Sequence, residues 1–452
     1  MILQALKEYY DRKAADPDSG IAPLGWEWKE IPYVIVLNAD GTPSNIESTI
    51  EGSGKSKKTK RFLVPQSVVR SSGISAQLFW DTVEYTAGIV STGLAEKNNK
   101  KASGKKTPEQ LAERAAEQHR QFKERIDSFS IADDGFTALK KFLELPNKKE
   151  LLEQYDTWKE LDKDDTFHVF RLKGQTGIIT DSETVQSAVN CIASDTATGS
   201  GSNVNIRCLI TGKQDELELT HAKIKGVWGG QTIGGSIVSV NFPAAESFGK
   251  KQGAVSPVGK QAASAFATAL NTMLAKGSKN RLQIGDASTV FWASKETLFE
   301  NEFGMVFADN PDEGVEAVRS LYKSVENGAF AENDEPAKFY VLGLSPNAAR
   351  ISVRFWITAT VAEMAVRIKK HFDDLQIVHR EYEKDYLSLW RLLVSTAVPG
   401  KTDNIPPNLA GETMRAILEG TCYPETLLQA VIRRIRAEHE ITYPRAALIK
   451  AC

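Results

Sequence analysis

The sequence predicts an α+β protein of several domains, with a mixed α/β region over residues 1–356 and a helical region over residues 357–452. Its 452 residues suffice for roughly two to four domains. Apolar residues make up 41% and charged residues 25% of the chain, which is typical of a globular protein. Short β-rich runs alternate with helical patterns as far as Trp356, whereas apolar residues at helical spacing dominate beyond it.

The first elements are predicted from short apolar patterns. Leu3, Leu6 and Tyr10 lie on one face of a short helix. The β-rich run Ile31–Leu37 predicts a strand, and Asn38–Gly41 after it is typical of a hairpin turn.

The next elements combine strand and helix signals. Phe62–Val64 predicts a further strand, and Leu78–Ile89 predicts a helix. Thr107–Gln110 has the spacing of a capping box with proline at the first helical position, so a helix should begin there. Phe136–Asp165 is predicted to be mostly helical.

Several later runs predict strands around one more helix. A helix that begins after Ser256-Pro257 would bury Ala262, Phe266, Leu270 and Met273 on one face. The predicted strands are Phe167–Leu172, Thr176–Thr180, Ile206–Thr211, Ser236–Asn241, Val290–Trp292, Phe339–Leu344 and Ala349–Trp356.

Basic residues are clustered along the chain, although the formal net charge is only −2. Two clusters occupy predicted loops at residues 50–61 and 97–106, and Arg433, Arg434 and Arg436 form a third. Clustered cations in a nearly neutral chain indicate local anion-binding sites.

Composition also excludes several classes of protein. The four cysteines form no C-x-x-C pair, which argues against a structural zinc site, and their scarcity suits a reducing compartment. The N-terminus lacks the features of a signal peptide, and no run approaches the roughly 18 apolar residues of a membrane span. We therefore expect a cytoplasmic protein without a metal, a cofactor or a membrane partner.

The most informative stretch is glycine-rich. Four glycines fall within seven residues of Gly229–Ser236, and no acidic residue occurs from Gln231 to Ala245. Glycine permits positive φ and lets the backbone approach a partner closely. The surrounding amides, hydroxyls and lysines suit polyanions and base edges. No acid/base constellation accompanies them, so we expect recognition and not catalysis.

Two patterns in the sequence resemble enzyme motifs and compete with this interpretation. Gly52–Ser56 resembles part of a phosphate loop, but the first glycine of that motif would fall at Thr49. The alternative function is a Ser/Lys amidohydrolase, in which Ser236, Ser239 or Ser247 would be paired with Lys223 or Lys225. That chemistry requires a desolvated lysine and an oxyanion hole, and the sequence indicates neither.

Two further patterns leave structural alternatives open. His371, Asp374 and His379 share one predicted helix, but their spacing does not bring them to one point, which favours a solvated face over a metal site. Tryptophans could stack on bases, although core packing is expected for most of them. For Trp228, beside the glycines, both base stacking and core packing stay open as interpretations.

These residues resemble a known family, the large subunit of the type I-C CRISPR–Cas surveillance complex (Cascade). The similarity covers about two-thirds of the chain and is densest in Cys208–Gly212, His221–Val227, Gly229–Gln252 and Leu342–Arg354. Shorter matching segments are Met1–Leu6, Arg61–Pro65, Arg70–Ile74, Phe79–Asp81 and Phe291–Ala293.

The resemblance implies a non-catalytic DNA-recognition subunit. Such a subunit would lie at the 5′-handle end of the crRNA, beside the crRNA-bound backbone subunits and a small subunit. It would read a short protospacer-adjacent motif in target double-stranded DNA, help open the duplex and support recruitment of a helicase-nuclease. Guide pairing would supply sequence choice.

Two departures limit the resemblance. The family pattern after Gln252 has Asn-Ala-Pro-Val, where this chain has Ala254–Pro257. Family members continue into a longer helical region, whereas this sequence stops at Cys452, so we expect functions of that region to be absent.

Candidate contact residues follow from the basic loop, the Arg70 turn and the glycine block. An alternative for Arg70 is an ion pair within the fold, and an alternative for the glycines is tight turns in the core. The predicted DNA or RNA contacts are Lys55, Lys57, Lys58, Lys60, Arg61, Arg70, Ser71, Ser72, Gly229, Gly230, Gln231, Gly234, Gly235, Ser236, Asn241, Lys250, Lys251 and Gln252.

Overall fold

A computed structural model shows the chain folded into two compact units. The discontinuous unit comprises Met1–Ile21 and Val204–Cys452, and the inserted unit comprises Ala22–Asn203. The structure describes residues 1–52, 58–68, 70, 73–100, 104–195, 204–240, 242–284, 287–307, 311–327, 337–398 and 404–452.

Within these described residues the architecture is α+β, as predicted. The helices are α1 Ile2–Ala14, α2 Val83–Thr86, α3 Thr92–Asn99, α4 Pro108–Asp127, α5 Asp134–Glu144, α6 Lys148–Leu152, α7 Trp158–Asp164, α8 Glu183–Asp195, α9 Lys260–Leu274, α10 Leu298–Phe307, α11 Pro311–Glu326, α12 Val361–Leu375, α13 Leu389–Ser395, α14 Pro407–Glu419, α15 Glu425–Glu438 and α16 Tyr443–Ala451. The strands are β1 Trp26–Glu30, β2 Tyr33–Leu37, β3 Pro43–Ser48, β4 Ile50–Glu51, β5 Lys58–Thr59, β6 Arg61–Pro65, β7 Trp80–Asp81, β8 His168–Leu172, β9 Asn205–Arg207, β10 Gln214–Glu216, β11 Arg281–Ile284, β12 Ala287–Ala293, β13 Lys338–Asn347 and β14 Arg350–Thr360.

The inserted unit is built on a sheet with the strand order β3-β2-β8-β7. The β2–β3 hairpin follows the predicted turn, and β2 pairs in parallel with β8. Strand β2 is buried along its whole length: Tyr33, Ile35 and Leu37 share a core with α5, and Val34, on the opposite face, packs with Phe62 and Trp80. Two antiparallel pairs, β1–β6 and β4–β5, carry the basic residues near position 60.

The discontinuous unit is built on an antiparallel sheet with the order β11-β12-β13-β14. Successive side chains of a strand point to opposite faces. Phe291 and Val341 therefore pack with α10 and α12, whereas Trp292 and Leu342 pack with α1 and α9. Helices cover both faces of β12 and β13, whereas the edge strand β14 is partly exposed, and the β13–β14 end of the sheet borders the glycine-rich region.

Local patterns predicted several elements correctly. Thr107 accepts a hydrogen bond from the backbone N–H of Gln110, and the Gln110 side chain accepts one from the Thr107 N–H, which completes the capping box of α4. The predicted buried face of α9, with Phe266 and Leu270 at its centre, is also confirmed.

The predicted helix Leu78–Ile89 is wrong over its first half. Phe79 has a φ of 66°, Trp80–Asp81 forms β7, and only Val83–Thr86 is helical. The Trp80 indole donates to a backbone carbonyl of β6 at 3.0 Å, and the buried Asp81 carboxylate accepts from neighbouring backbone N–H groups. These tertiary contacts override the local helical pattern.

The predicted strand Thr176–Thr180 is also wrong. The strand β8 exists, but the residues after it form a turn and a 3₁₀ helix at Ile179–Asp181. The Asp181 carboxylate closes this turn by accepting from the Ile178 N–H at 2.9 Å.

Two other predicted strands are shorter or missing. Ile206–Thr211 is a strand only in β9, because a turn begins at Cys208. In Ser236–Asn241 the only described pairing is a bridge between Ser236 and Arg350, and Asn241 lies outside the described residues.

The predicted change near Trp356, from alternating strand and helix patterns to helical spacing alone, coincides with the end of the last strand. Trp356 lies within β14, and the helices α12 to α16 pack in one hydrophobic core with β12 and β13. The discontinuous unit therefore spans residues on both sides of Trp356. The assignment of nucleic-acid recognition to residues 1–356 stays a prediction.

Candidate nucleic-acid interface

The glycine segment, defined here as residues 226–253, is held against the β13–β14 hairpin by backbone hydrogen bonds. Ile224 and Gly235 exchange two N–H···O bonds of 2.8 and 2.9 Å. The Ser236 N–H donates to the Ala349 carbonyl at 3.0 Å, and the Ile351 N–H donates to the Ser236 carbonyl at 3.0 Å. The described residues of this segment, 226–240 and 242–253, thus have little regular secondary structure, and these bonds fix their path beside the hairpin.

Two of the predicted contact glycines serve this packing. Gly234 has a φ of 90°, and a Cβ there would lie 2.6 Å from the Ile224 carbonyl oxygen. A Cβ on Gly235 would lie 2.9 Å from Ile351 Cγ1 and 3.2 Å from the Arg350 backbone. Both glycines are required for a close approach to protein atoms, which is the structural alternative considered for them.

The preceding turn is different because it is exposed. Gly229 has a φ of 73°, and a Cβ there would meet only the Pro346 ring, at 3.6 Å. The Gly230 N–H donates to the Val227 carbonyl at 3.1 Å, and the Gln231 side chain is exposed. This turn, hereafter the Gly229–Gln231 turn, borders a shallow hollow beside the β13–β14 hairpin.

Large apolar side chains are exposed throughout the glycine segment. Trp228 is 59% exposed, although its backbone N–H is held by Ser288 Oγ at 2.9 Å. Ile233, Phe242 and Phe248 are also exposed. By contrast, Trp26, Trp80 and Trp292 are buried, as expected for core residues. Exposed rings beside cations are typical of surfaces that stack on bases.

The last predicted residues of the glycine segment lie on and after a tight turn. The Lys250 N–H donates to the Ser247 carbonyl at 2.9 Å, and Lys250, Lys251 and Gln252 are all exposed. Gln252 has a φ of 49° and begins a 3₁₀ helix. The two lysines are therefore accessible to an anionic partner.

One of the Ser/Lys pairs considered for the hydrolase alternative, Lys223 with Ser236, is in contact. Lys223 Nζ donates to Ser236 Oγ at 2.6 Å, and both residues are half-buried. A hydrolase also needs donors aimed at an oxyanion. The backbone N–H of Ser236 itself is already bonded to the Ala349 carbonyl. The contact is thus explained as a hydrogen bond that fixes the glycine segment.

The basic strand pair, β4–β5 with the adjoining Arg61, presents exposed cations in the inserted unit. Lys58, Lys60 and Arg61 are exposed, and none of them forms a salt bridge with a described carboxylate. The Lys60 ammonium lies 5.2 Å from the Phe62 ring, and the Arg61 guanidinium lies 5.9 Å from the Trp28 ring. The predicted contacts Lys55 and Lys57 lie outside the described residues.

Arg70 is engaged within the fold. Its guanidinium pairs with the buried Asp81 carboxylate, donates to the Ser75 carbonyl at 2.6 Å and lies 4.1 Å from the Tyr85 ring. Burial raises the pKa of Asp81, and the Arg70 charge opposes that rise. This geometry matches the structural alternative for Arg70.

The positions adjoining Arg70 are not all described, so the predicted role of this turn stays a prediction. Ser71 and Ser72 lie outside the described residues. Gly73, the next residue, has a φ of 94° and open space around its missing side chain.

The other basic clusters are partly neutralised. Lys97 pairs with Asp165 at 2.9 Å, and Arg434 pairs with Glu438. The predicted loop at residues 97–106 begins within α3, and its Lys97 is paired, so this cluster is a weaker candidate for anion binding than the basic strand pair.

No group of metal-ligating side chains occurs among the described residues. His371 is buried against the Tyr423 hydroxyl, and burial lowers the pKa of His371 to about 3. His379 instead faces Asp385 at 3.7 Å. Of the helices that the structure describes, none is both long and apolar enough to cross a bilayer.

Sequence reasoning missed Phe242, Phe248 and Arg350 as surface groups. The Arg350 guanidinium lies 5.4 Å from the Phe242 ring, so this pair forms a cationic and aromatic patch. Phe248 is followed by Gly249-Lys250-Lys251, and an aromatic residue inside a polar, glycine-containing run was the available signal.

Comparison with known proteins bears out the resemblance only in part. No curated protein matches the chain. A family model described as CRISPR-associated protein (Cas_Csd1) matches residues 6–452, which is nearly the whole chain. The chain therefore belongs to the Cas_Csd1 family of CRISPR-associated proteins.

Proposed function

We propose that this chain is the non-catalytic large subunit of a type I-C surveillance complex and that it reads the protospacer-adjacent motif in double-stranded DNA. Family membership supports a role in CRISPR defence with crRNA and nucleic acid. The single observation that carries the finer proposal is the exposed Gly229–Gln231 turn. It presents backbone without side-chain bulk beside a flat amide.

The turn suits a DNA groove for steric reasons. The minor groove is only about 6 Å wide, so a backbone without Cβ atoms can enter where larger residues cannot. The space above Gly229 is open except for the Pro346 ring, whereas Gly234 and Gly235 face protein backbone. Gln231 can both donate and accept hydrogen bonds at a base edge. Gly234 and Gly235 would support the turn from behind.

Exposed cations would supply the contacts that carry no sequence information. Lys250 and Lys251 lie in the same segment as the turn, and Lys58, Lys60 and Arg61 lie on or beside the basic strand pair. Phosphate contacts position a protein on the duplex, while base contacts specify the sequence. Either set of cations would contact DNA or the crRNA handle.

The remaining partners follow from the proposed role. The chain would assemble with crRNA, the crRNA-bound backbone subunits and a small subunit in the cytoplasm. After motif recognition it would help open the duplex and support recruitment of the helicase-nuclease. Guide pairing would then test the target sequence.

The substitution Gln231→Ala in the assembled complex tests motif reading. Loss of a base-edge contact should reduce the preference for motif-bearing over motif-free duplex by about tenfold, within the range of roughly 1–3 kcal/mol for one good base contact. The affinities are measured by titration of labelled duplexes at one salt concentration. Gln429→Ala, at an exposed position of α15, is the matched control. An unchanged preference in Gln231→Ala would show that Gln231 does not read the motif.

A further inference from the structure

Phe248 is the most exposed aromatic residue of the described chain. Its ring is 97% exposed, and it occupies the first central position of the Ser247–Lys250 turn. Phe248 has a φ of 53° and Gly249 a φ of 70°. Positive φ at both central residues is the pattern of a type I′ turn, which favours Asn, Asp or Gly.

Phenylalanine is poorly suited to this position in two respects. A bulky residue at positive φ is an outlier, because its Cβ crowds the backbone. A ring that is fully in water also gains nothing from burial. Strained residues of this kind cluster at functional sites. An exposed ring at a strained position therefore indicates that this turn binds a partner.

The turn is anchored to the rest of the unit close to its C-terminal end. Gly253 is buried, and a Cβ there would lie 2.6 Å from the Glu218 carbonyl oxygen. The Glu218 N–H donates to the Val258 carbonyl at 2.9 Å. The Ser256 N–H donates to the Gly253 carbonyl at 3.1 Å. The chain that carries Phe248 is thus held in place at Gly253.

The charges around the ring favour a nucleic-acid partner. Lys250 is the last residue of the turn and Lys251 follows it, both are exposed, and Glu246 precedes the turn. In the same segment, Phe242 carries the Arg350 guanidinium over its ring. Apolar side chains that project into DNA can enter between base steps, and adjacent cations then bind the phosphates.

We propose that Phe248 inserts between neighbouring base pairs beside the adjacent motif and unstacks them, with Lys250 and Lys251 on the flanking phosphates. The inference rests on the proposed function and adds to it the group that starts duplex opening. In this assignment Gln231 reads the motif and Phe248 deforms the step next to it.

The test uses the assembled complex and a motif-bearing duplex with 2-aminopurine beside the motif. The duplex has no guide complementarity, so base pairing with crRNA cannot open it. Wild-type complex should raise the 2-aminopurine fluorescence, and Phe248→Gly should reduce this rise by about tenfold, as expected when one base loses its stacking partner. Phe248→Trp should keep most of the rise. Leu298→Ala, at another exposed apolar residue, is the control.

Phe248→Gly also separates binding from folding. Glycine suits a φ of 53°, so the thermal midpoint of the free subunit should stay the same or rise. A wild-type rise that persists in Phe248→Gly would overturn the proposal. Failure of this variant to assemble with its partner subunits would overturn it too, because the ring would then be a protein contact.

The two proposals fail in different ways. A wild-type complex that prefers motif-bearing duplex without any fluorescence rise would overturn the role of Phe248 and leave motif reading intact. A wild-type complex without motif preference would instead overturn the proposed function, whatever the fluorescence shows.

Discussion

In the inserted unit the exposed cations Lys58 and Lys60 project from short paired strands, whereas in the discontinuous unit Gln231 and Phe248 project from turns without regular structure. The basic strand pair is held by ladder hydrogen bonds, which any side chain permits. The glycine segment is held by close backbone approaches, which at Gly234 only glycine permits.

This difference predicts which substitutions affect folding and which affect binding. On the basic strand pair, side chains can change without disturbing the backbone, so substitutions should alter affinity alone. In the glycine segment, a single added methyl group can displace the backbone that presents the contacts. Among the predicted contact residues of the inserted unit, Arg70 is the exception, because its guanidinium forms an ion pair with the buried Asp81 carboxylate.

The largest expected effect is that of Arg70→Ala on the stability of the inserted unit. The substitution leaves the buried Asp81 carboxylate without its cation, and breaking a buried pair in this way costs about 3 kcal/mol. Thermal or denaturant unfolding of the free subunit measures the loss. Arg61→Ala, which removes an exposed cation, is the control and should leave stability unchanged.

The pH dependence of Arg70→Ala sharpens this prediction. Without Arg70 the pKa of Asp81 should rise further, because burial raises it and the Arg70 charge is the largest effect that opposes this rise. Arg125 also interacts electrostatically with Asp81 and stays in place. A carboxyl with a raised pKa binds protons more tightly in the folded state, so stability falls as pH rises. The loss should therefore be greater at pH 8 than at pH 5. An equal loss at both values would contradict a buried, unpaired carboxyl.

The next effect is that of Gly234→Ala in the discontinuous unit. The new Cβ would lie 2.6 Å from the Ile224 carbonyl oxygen at a φ of 90°, and we expect a loss of about 2–3 kcal/mol. Gly249→Ala is the matched control, since Gly249 has a φ of 70° but no atom within 4 Å of its missing side chain. It should lose only about 1 kcal/mol. Similar unfolding free energies in both variants would show that the close approach to Ile224 is not required.

The smallest effect on stability, and the clearest on binding, is expected for Lys58→Gln combined with Lys60→Gln. If each lysine neutralises one phosphate, the log–log salt dependence of duplex binding by the complex should flatten by about 1.8. The thermal midpoint should not change, because both side chains are exposed. Lys149→Gln with Lys159→Gln removes the same charge from residues paired with Glu153 and Asp156. Equal slopes in the two double variants would exclude a phosphate contact.

Local signals predicted the elements whose stability is local. The capping box at Thr107 and the buried face of α9 need only neighbours in sequence, and both are confirmed. The Leu78–Ile89 segment failed because Trp80 and Asp81 bond to residues of other elements. A pattern of residue types within these twelve residues cannot indicate hydrogen-bond or ion-pair partners that lie outside them.

The candidate site divides in the same way. The sequence predicted contact residues in the cation-rich run near residues 55–61 and in the glycine-rich run near residues 229–252. Lys58, Lys60, Lys250 and Lys251, which belong to these runs, are exposed. It did not distinguish the exposed Gly229 from the packed Gly234, since both are glycines in the same run.

By itself the sequence determined the α+β class, the basic clusters and the similarity to a CRISPR-associated family, because composition, periodicity and long motifs are properties of the chain. Only the tertiary structure decided that Arg70 is paired with Asp81, that Gly234 and Gly235 face protein backbone and that Phe248 stands in solvent at positive φ. Each of these depends on which distant atoms come within a few ångströms of the residue, and that distance is set by packing between elements far apart in sequence.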